Sequence, residues 1–165
     1  MAFGKYARLF AKPRKLHDKV RTEEENKLVK KYGLKNKKEI WKAESEIGKI
    51  RKQAKKLITA EKTMQDVLIN KLKKSGFKVE KINDVLSLNK EDWLKRRLQS
   101  IVAEKKFAST AKGARQLIVH KHIAISGRKV NIPSYIVGID EEDKIGVVGI
   151  KFKEHKKGEK ENEEK

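Results

Sequence analysis

Apolar residues along the first half of the chain recur at helical spacing, interrupted by capping residues and glycines. A first helix is predicted from a Thr22 cap to Tyr32, because acids follow Thr22 and because Gly33 suits a left-handed helix end. Asn36 is a candidate cap for a second, longer helix. Its apolar positions are Ile40, Trp41, Ile47, Ile50, Ala54, Leu57 and Ile58. The pattern predicts a mainly helical N-terminal region.

Helical spacing continues through the middle of the chain. A third helix is predicted over 63–75, closed by Gly76, and residues 77–88 fit either a short helix or a turn. Asn89 and Asp92 have capping-box spacing before another helix, and Ser109 or Thr110 caps the next. The apolar positions of these three helices are Met64, Val67, Leu68, Leu72; Leu94, Leu98, Ile101, Val102; and Ala111, Ala114, Leu117, Ile118.

After His120 the period changes from helical to two. Apolar residues alternate over 123–125 and again over 130–132, and Ser126-Gly127 between them is a turn signal, so a β-hairpin is predicted. Two further strands are predicted over 135–139 and 144–148, around an acidic turn at 140–143. The expected fold class is α+β, with a helical N-terminal domain and a small module of two helices and a β-hairpin or short sheet.

Charge divides this pattern into segments. We expect an extended basic arm at 1–20, a helical domain at 21–93, a basic module with following strands at 94–150, and a disordered charged tail at 151–165. Residues 94–137 carry ten Lys/Arg and a single acid, Glu104, within a net charge of +20 for the chain. Cations held by folded elements form a rigid array, and such an array suits a structured polyanion such as folded nucleic acid.

Several other function classes find little support. The chain has no apolar run of membrane-spanning length and no cysteine, so neither a bilayer span nor a thiolate metal site is expected. It has no Gly-rich phosphate loop, no His-Glu-x-x-His and no plausible catalytic triad, so we expect no enzyme, no cofactor and no small-molecule substrate. Aromatic residues make up 6%, which argues against a sheet that stacks single-stranded bases.

Arginines at the edge of apolar stripes are candidate phosphate ligands. If one helix runs through residues 94–102, Arg97 lies at the rim of its apolar stripe and Arg96 points nearly opposite; Arg115 occupies a similar rim in the next helix. A rim position fixes the aliphatic stem while the guanidinium stays exposed for bidentate contact with phosphate. The alternative is that these arginines only solubilise the fold.

Other polar groups allow two interpretations each. Ser109 and Thr110 would place phosphate at a helix N-terminus or would simply cap the helix. Arg128 and Lys129 at the hairpin tip would meet an RNA groove or would be ordinary polar turn residues. The spacing of His120 and His122 is compatible with metal binding, but no third ligand lies nearby in sequence. Trp41 and Trp93 fit core anchors better than base-stacking platforms.

The segment LKRRLQSIVAEKKFASTAKGARQLIVHKHIAISGRKVNIPSYIV, residues 94–137, resembles the RNA-binding module of the small-subunit ribosomal protein four family. The shared pattern includes Arg-Leu, Ala-Ser-Thr, Ala-Arg-Gln-Leu-Ile, His-x-His-Ile, Gly-Arg-Lys-Val and Asn-Ile-Pro-Ser-Tyr-Ile-Val. The upstream stretch KYGLKNKKEIW, residues 31–41, is similar to that family itself, in its archaeal or eukaryotic form. Lys121 departs from the module, which commonly has glycine there, and Gln99 departs from a common aspartate.

The resemblance implies a structural constituent of the small ribosomal subunit. Such a protein would bind small-subunit ribosomal RNA directly, nucleate assembly, contribute to translational accuracy and adjoin other ribosomal proteins in the cytoplasm. The candidate RNA-binding residues are Lys37, Lys38, Arg51, Lys52, Arg96, Arg97, Ser109, Thr110, Lys112, Arg115, Gln116, Lys121, His122, Arg128 and Lys129. The alternative is a stand-alone RNA-binding module protein that acts on ribosomes or tRNA under stress. A fragment of an RNA-modifying enzyme or of a tRNA synthetase would need a catalytic domain, and we expect none in these 165 residues. A membrane-surface protein would need basic helices with strongly apolar opposite faces, and residues 1–20 do not show that pattern.

Overall fold

The computed structural model describes residue 10, residues 12–15 and residues 17–149, so most of the expected arm and all of the expected tail lie outside the described residues. The helices of this part of the chain are α1 Lys19–Tyr32, α2 Lys38–Leu57, α3 Lys62–Lys74, α4 Ile82–Ser87, α5 Lys90–Lys95, α6 Leu98–Glu104, α7 Ala111–Val119 and α8 Ile139–Glu142. The strands are β1 Ile123–Ile125, β2 Arg128–Lys129 and β3 Ile145–Val147. The α+β class with a helical N-terminal region and a hairpin-containing module is confirmed.

The first helix starts before the predicted Thr22 cap. Asp18 caps α1, because its carboxylate accepts a hydrogen bond from the Arg21 N–H at 3.4 Å. Its end is as predicted: Gly33 has a φ of +59° and donates its N–H to the Val29 carbonyl. At the next helix start, the Asn36 side chain accepts the Lys38 N–H at 3.1 Å, although α2 itself begins only at Lys38.

The helical region packs α2 against α3, α4 and α5. Its core includes Ile47, Ala54, Leu68, Leu72, Phe77, Val79, Val85 and Leu88. Met64 and Val67 were wrongly expected in this core, since they are 60% and 68% exposed. The buried face of α3 is formed by Leu68, Ile69 and Leu72, and at about 100° per residue this turns Val67 toward solvent. Residues 82–87 form α4, which resolves the ambiguity over 77–88.

Both tryptophans are partly buried and pack against core clusters, as predicted. Trp93 stacks on Phe77 with ring centroids 5.7 Å apart. The indole N–H of Trp41 donates to Glu25 at 2.9 Å, and its ring lies 6.0 Å from that of Phe10.

The single helix predicted after Asn89 is in fact two helices. At the start of α5 the Asp92 carboxylate accepts the Asn89 N–H at 2.9 Å, as the predicted capping box requires of Asp92, although the Asn89 side chain forms no capping hydrogen bond. Further along, Arg97 adopts an extended conformation with φ −72° and ψ +144°. Arg97 forms an isolated antiparallel bridge with Ile136, and the neighbouring Arg96 carbonyl accepts the Val137 N–H at 3.1 Å. Pairing with this distant segment interrupts the helix. The rim position deduced for Arg97 and the opposite-facing position deduced for Arg96, both from one continuous helix, are therefore wrong.

The sheet has the strand order β2-β1-β3, and both pairings are antiparallel. The predicted hairpin is confirmed: Ser126 and Gly127 both have positive φ, as a tight two-residue turn between twisted strands requires. The strand predicted over 144–148 corresponds to β3, whereas that over 135–139 is wrong, because only Ile136 pairs there. The acidic residues at 140–142 lie in α8, not in a turn.

Lys121 occupies a left-handed backbone position immediately after α7, with φ +62°. A side chain in this region costs roughly 1 kcal/mol relative to glycine. We therefore expect Lys121→Gly to raise the free energy of unfolding by about 1 kcal/mol, measured by urea denaturation. Lys121→Ala is the control, because it removes the same charge but keeps the backbone strain, and it should give no such gain. A gain of equal size in both variants would attribute the effect to charge.

Candidate nucleic-acid interface

The start of α7 is organised by Thr110. Its hydroxyl accepts the Gly113 N–H at 3.1 Å, which confirms the predicted cap and makes Thr110, not Ser109, the capping residue. The exposed side chains of Ser109, Lys112 and Gln116 follow on α7 or immediately before it. Lys112 and Gln116 are four residues apart and so lie along one side of the helix, and Ser109 lines the same groove as Gln116.

The left-handed turn and the hairpin carry further exposed cations of the module. Lys121, Arg128 and Lys129 are all exposed, and no ion pair joins them to an acid within the described residues. We call the following set the module surface: Ser109, Lys112, Gln116, Lys121, Arg128 and Lys129. These cations project from a helix end, a turn and a strand over one core, which includes Leu98, Val102, Ile118, Ile123 and Val137.

An open groove of about 470 Å³ lies beside α7. It is lined by Ala108, Ser109, Gly113, Gln116, Leu117, His120 and His122. The two imidazole rings are 6.4 Å apart between centroids. The groove combines an apolar floor with an amide, a hydroxyl and two planar rings, which are groups that can pack against an unstacked base and hydrogen-bond its edge.

Arg97 and Arg115 do not present free guanidinium groups. Arg97 is only 4% exposed, and its Nη2 lies 2.5 Å from a carboxylate oxygen of Glu39. Arg115 is half-buried, and its Nη1 lies 3.1 Å from the other oxygen of Glu39 and donates to Gln99 at 3.2 Å. We call Glu39, Arg97, Gln99 and Arg115 the Glu39 cluster. It joins the start of α2 to the module.

The charge state of Glu39 follows from these neighbours. Burial alone would raise the pKa of Glu39, but the hydrogen bonds and positive charges of Arg97 and Arg115 outweigh burial and hold that pKa below its ordinary value of 4.5. Glu39 is therefore ionised at neutral pH.

Arg96 is likewise engaged within the fold. Its guanidinium covers Gly76 and donates to the carbonyls of Ser75 and Val137 and to the carboxylate of Glu142, at 3.2, 2.9 and 2.9 Å. Arg96 thus ties the ends of α3 and α5 to α8, which favours a structural role over direct phosphate contact.

The candidate RNA-binding residues of the helical region also divide into those with partners inside the fold and those that are exposed. Arg51 is half-buried and donates to the Leu88 carbonyl, and Lys37 lies 3.6 Å from Glu25. Lys38 and Lys52 are exposed. With three more exposed lysines they form what we call the α2 surface: Lys38, Lys42, Lys49, Lys52 and Lys56. At about 100° per residue these five side chains fall within an arc of about 80°, roughly opposite the buried face.

The sequence interpretation missed two carboxylates that are engaged inside the fold: Glu25, which is buried, and Glu39, which is partly buried. Glu25 is 3% exposed; burial would raise its pKa, but the hydrogen bond from Trp41 and the charges of Arg21 and Lys37 lower it. The internal role of Glu39 was missed because it lies three residues after Asn36, where an acid usually accepts a backbone N–H at the helix start. Glu39 also has that ordinary role, since it accepts the Lys35 N–H at 3.2 Å. The basic residues that complete its environment are 58 and 76 positions away.

Neither a metal centre nor a membrane span emerges from the described residues. No helix among them is both long and apolar enough to cross a bilayer. In the same part of the chain, no three His, Cys, Asp or Glu side chains are grouped as metal ligands would be.

Comparison with known proteins agrees with this architecture. The model of the S4 domain matches residues 96–144, which begin at the break between α5 and α6 and end just before β3. The small ribosomal subunit protein uS4 of Methanothermobacter thermautotrophicus is 48% identical over 132 residues, covering 76% of this chain and 77% of that protein. The uS4 proteins of Methanococcus vannielii and Saccharolobus islandicus are each 47% identical, over 135 and 128 residues, covering 78% and 73% of this chain and 76% and 71% of the relatives. The chain belongs to the uS4 family of small ribosomal subunit proteins.

Proposed function

We propose that this protein is a structural constituent of the small ribosomal subunit that binds small-subunit ribosomal RNA directly. The relatives named as small-subunit proteins support this role, and the similarity extends well beyond the S4 domain into the helical region. The observation that carries it is the module surface, whose cations are exposed and held on folded elements. A stand-alone module acting under stress would need only residues 96–144, which makes that alternative the weaker one.

Binding gains most of its affinity from counterion release. Each lysine or arginine that neutralises a phosphate releases a condensed cation, so the affinity falls steeply with salt. The module surface and the α2 surface would each contact backbone phosphates, with Thr110 holding the α7 N-terminus in place. The groove beside Gln116, His120 and His122 would accept an unpaired base, because single-stranded positions are where RNA offers a readable edge.

The engaged arginines have a different role in this proposal. Arg96, Arg97, Arg115 and Arg51 hold carbonyls and carboxylates, so they set the positions of the neighbouring cations and need not contact RNA themselves.

The protein would act by binding and would catalyse no reaction. Contacts with two RNA segments would bring those segments together early, which is how a small protein nucleates assembly in the cytoplasm. Neighbouring small-subunit proteins would then adjoin it, and its placement would influence translational accuracy.

Salt dependence of binding tests the proposal. Wild-type protein should bind a small-subunit ribosomal RNA transcript more tightly than a large-subunit transcript of equal length. In Lys112→Gln/Arg128→Gln, the slope of log K against log salt should become shallower by about 2, since two phosphate contacts are lost. Filter binding from 50 to 300 mM KCl measures this slope. Lys62→Gln, an exposed change outside both surfaces, is the control and should leave it unaltered. Equal affinity of wild-type protein for both transcripts would refute the assignment.

A further inference from the structure

The Glu39 cluster lies between two parts of the chain that both carry exposed cations. Glu39 belongs to the first turn of α2, next to Lys38 of the α2 surface. Arg97 precedes α6, and Arg115 lies on α7, the helix that also carries Lys112 of the module surface. One carboxylate thus receives two guanidinium groups from the module, at 2.5 Å and 3.1 Å.

Gln99 strengthens the same junction. It is 1% exposed, and its amide nitrogen lies 2.9 Å from each of three carbonyl oxygens, those of Tyr32, Gly33 and Ala111. Two of these carbonyls end α1 and the third begins α7. The amide therefore binds both sides of the junction at once.

The backbones also meet closely at this point. A Cβ added to Gly33 would lie 2.8 Å from the backbone nitrogen of Lys112. Lys112 is therefore held against the end of α1, and Glu39 holds Arg115 one helical turn further along α7. The ion pairs of Glu39, the hydrogen bonds of Gln99 and the close approach of Gly33 to α7 therefore fix the distance between the α2 surface and the module surface.

We infer that Glu39 is a positioning residue for RNA binding, which locks the α2 surface and the module surface into one rigid array. This inference rests on the proposed function. When two binding surfaces are held at a fixed separation, the second contact becomes intramolecular and the combined affinity exceeds that of either surface. Loosening the junction reduces that advantage without removing a single cation that faces RNA.

Substitution of Glu39 by glutamine gives a prediction whose sign is diagnostic. Removing an acid from a chain of net charge +20 should by simple electrostatics strengthen its binding to RNA. The positioning role predicts the opposite: Glu39→Gln should weaken binding to the small-subunit transcript by about 10-fold or more. Glu46→Gln is the matched control, since Glu46 lies on the same helix and its one ion pair among the described residues is the local one with Lys49, at 2.7 Å. It removes the same charge and should leave the affinity equal or higher.

A measurement without RNA separates the positioning role from the proposed function. The chain has no cysteine, so spin labels can be placed at Gln53→Cys on α2 and Ile132→Cys beyond the hairpin, both exposed. Pulsed electron spin resonance should give a narrow distance distribution for the otherwise wild-type protein and for Glu46→Gln. The distribution should broaden in Glu39→Gln. Glu39→Asp keeps the charge but shortens the side chain, so its distance distribution should be wider than that of the wild type and narrower than that of Glu39→Gln. This variant allows the test if Glu39→Gln does not fold.

The outcomes are distinct. A broadened distribution together with weakened transcript binding in Glu39→Gln supports the inference. An unchanged distribution, or a Glu39→Gln protein that binds the transcript as tightly as Glu46→Gln, overturns it while leaving the proposed function intact. A wild-type protein without preference for the small-subunit transcript sinks the proposed function itself, whatever the labels report.

Discussion

Arg97→Ala should lower the free energy of unfolding by about 3 kcal/mol at pH 7, a large effect for one arginine in so basic a protein. Removing one partner of a buried ion pair leaves the other charge poorly compensated and costs several kcal/mol. Arg97 is 4% exposed and its partner Glu39 is mostly buried, so water cannot easily replace the lost guanidinium. Urea denaturation followed by circular dichroism measures the difference.

Arg128→Ala is the matched control, because Arg128 is fully outside the core on β2 and should change stability by no more than about 0.5 kcal/mol. Acid provides a second check. The pKa of Glu39 lies below 4.5, so the stability from its ionised form is present above that value and is lost as the pH falls through the lowered one. The difference between wild type and Arg97→Ala should therefore shrink below pH 4.5. Equal losses in Arg97→Ala and Arg128→Ala would contradict the buried pairing.

Gly33→Ala should destabilise the protein by roughly 2 kcal/mol or more. The residue has a φ of +59°, where a side chain costs about 1 kcal/mol, and its new Cβ would approach the backbone of Ala111 and Lys112 to 2.8 Å. Because two of the three nearest atoms belong to the backbone of α7, the overlap is relieved only by separating α1 from α7. Thermal unfolding monitored by calorimetry measures the loss.

Gly48→Ala is the informative comparison and should have the opposite sign. Gly48 lies inside α2, and a Cβ added there meets nothing within 4 Å. Alanine in an exposed helix interior is more favourable than glycine by roughly 0.5–1 kcal/mol. If both alanine variants were stabilising, the close contact between Gly33 and α7 would not exist in solution.

Local signals in the sequence were sufficient for much of the fold. Asn89 and Asp92 predicted the start of α5, because the Asp92 carboxylate and the Asn89 N–H that it accepts lie within four residues of each other. Ser126-Gly127 predicted the hairpin because positive φ is a property of the turn itself. Gly33 predicted the end of α1 for the same reason. In each case the interaction that decides the structure is encoded within a few consecutive residues.

Long-range pairing decided the places where prediction was wrong. Leu94, Leu98 and Ile101 continue in helical register across Arg96 and Arg97, so no local pattern marks the break between α5 and α6. It arises because residues 135–137 lie alongside and exchange backbone hydrogen bonds with residues 96–98. The pairing of Arg97 and Arg115 with Glu39 likewise depends on segments far apart in the chain. The sequence identified the basic residues, but it could not distinguish those whose charge faces solvent from those paired with a carboxylate inside the fold.

The outer strand of the small sheet has a consequence for the free protein. β2 is only two residues long, both are exposed cations, and it forms one edge of the sheet. A short, charged edge repels the strand of a second molecule and so discourages edge-to-edge aggregation. In the proposed function, Arg128 and Lys129 would therefore have two roles. They would discourage self-association of the free protein, and on binding their charge would be neutralised by RNA that covers the same edge.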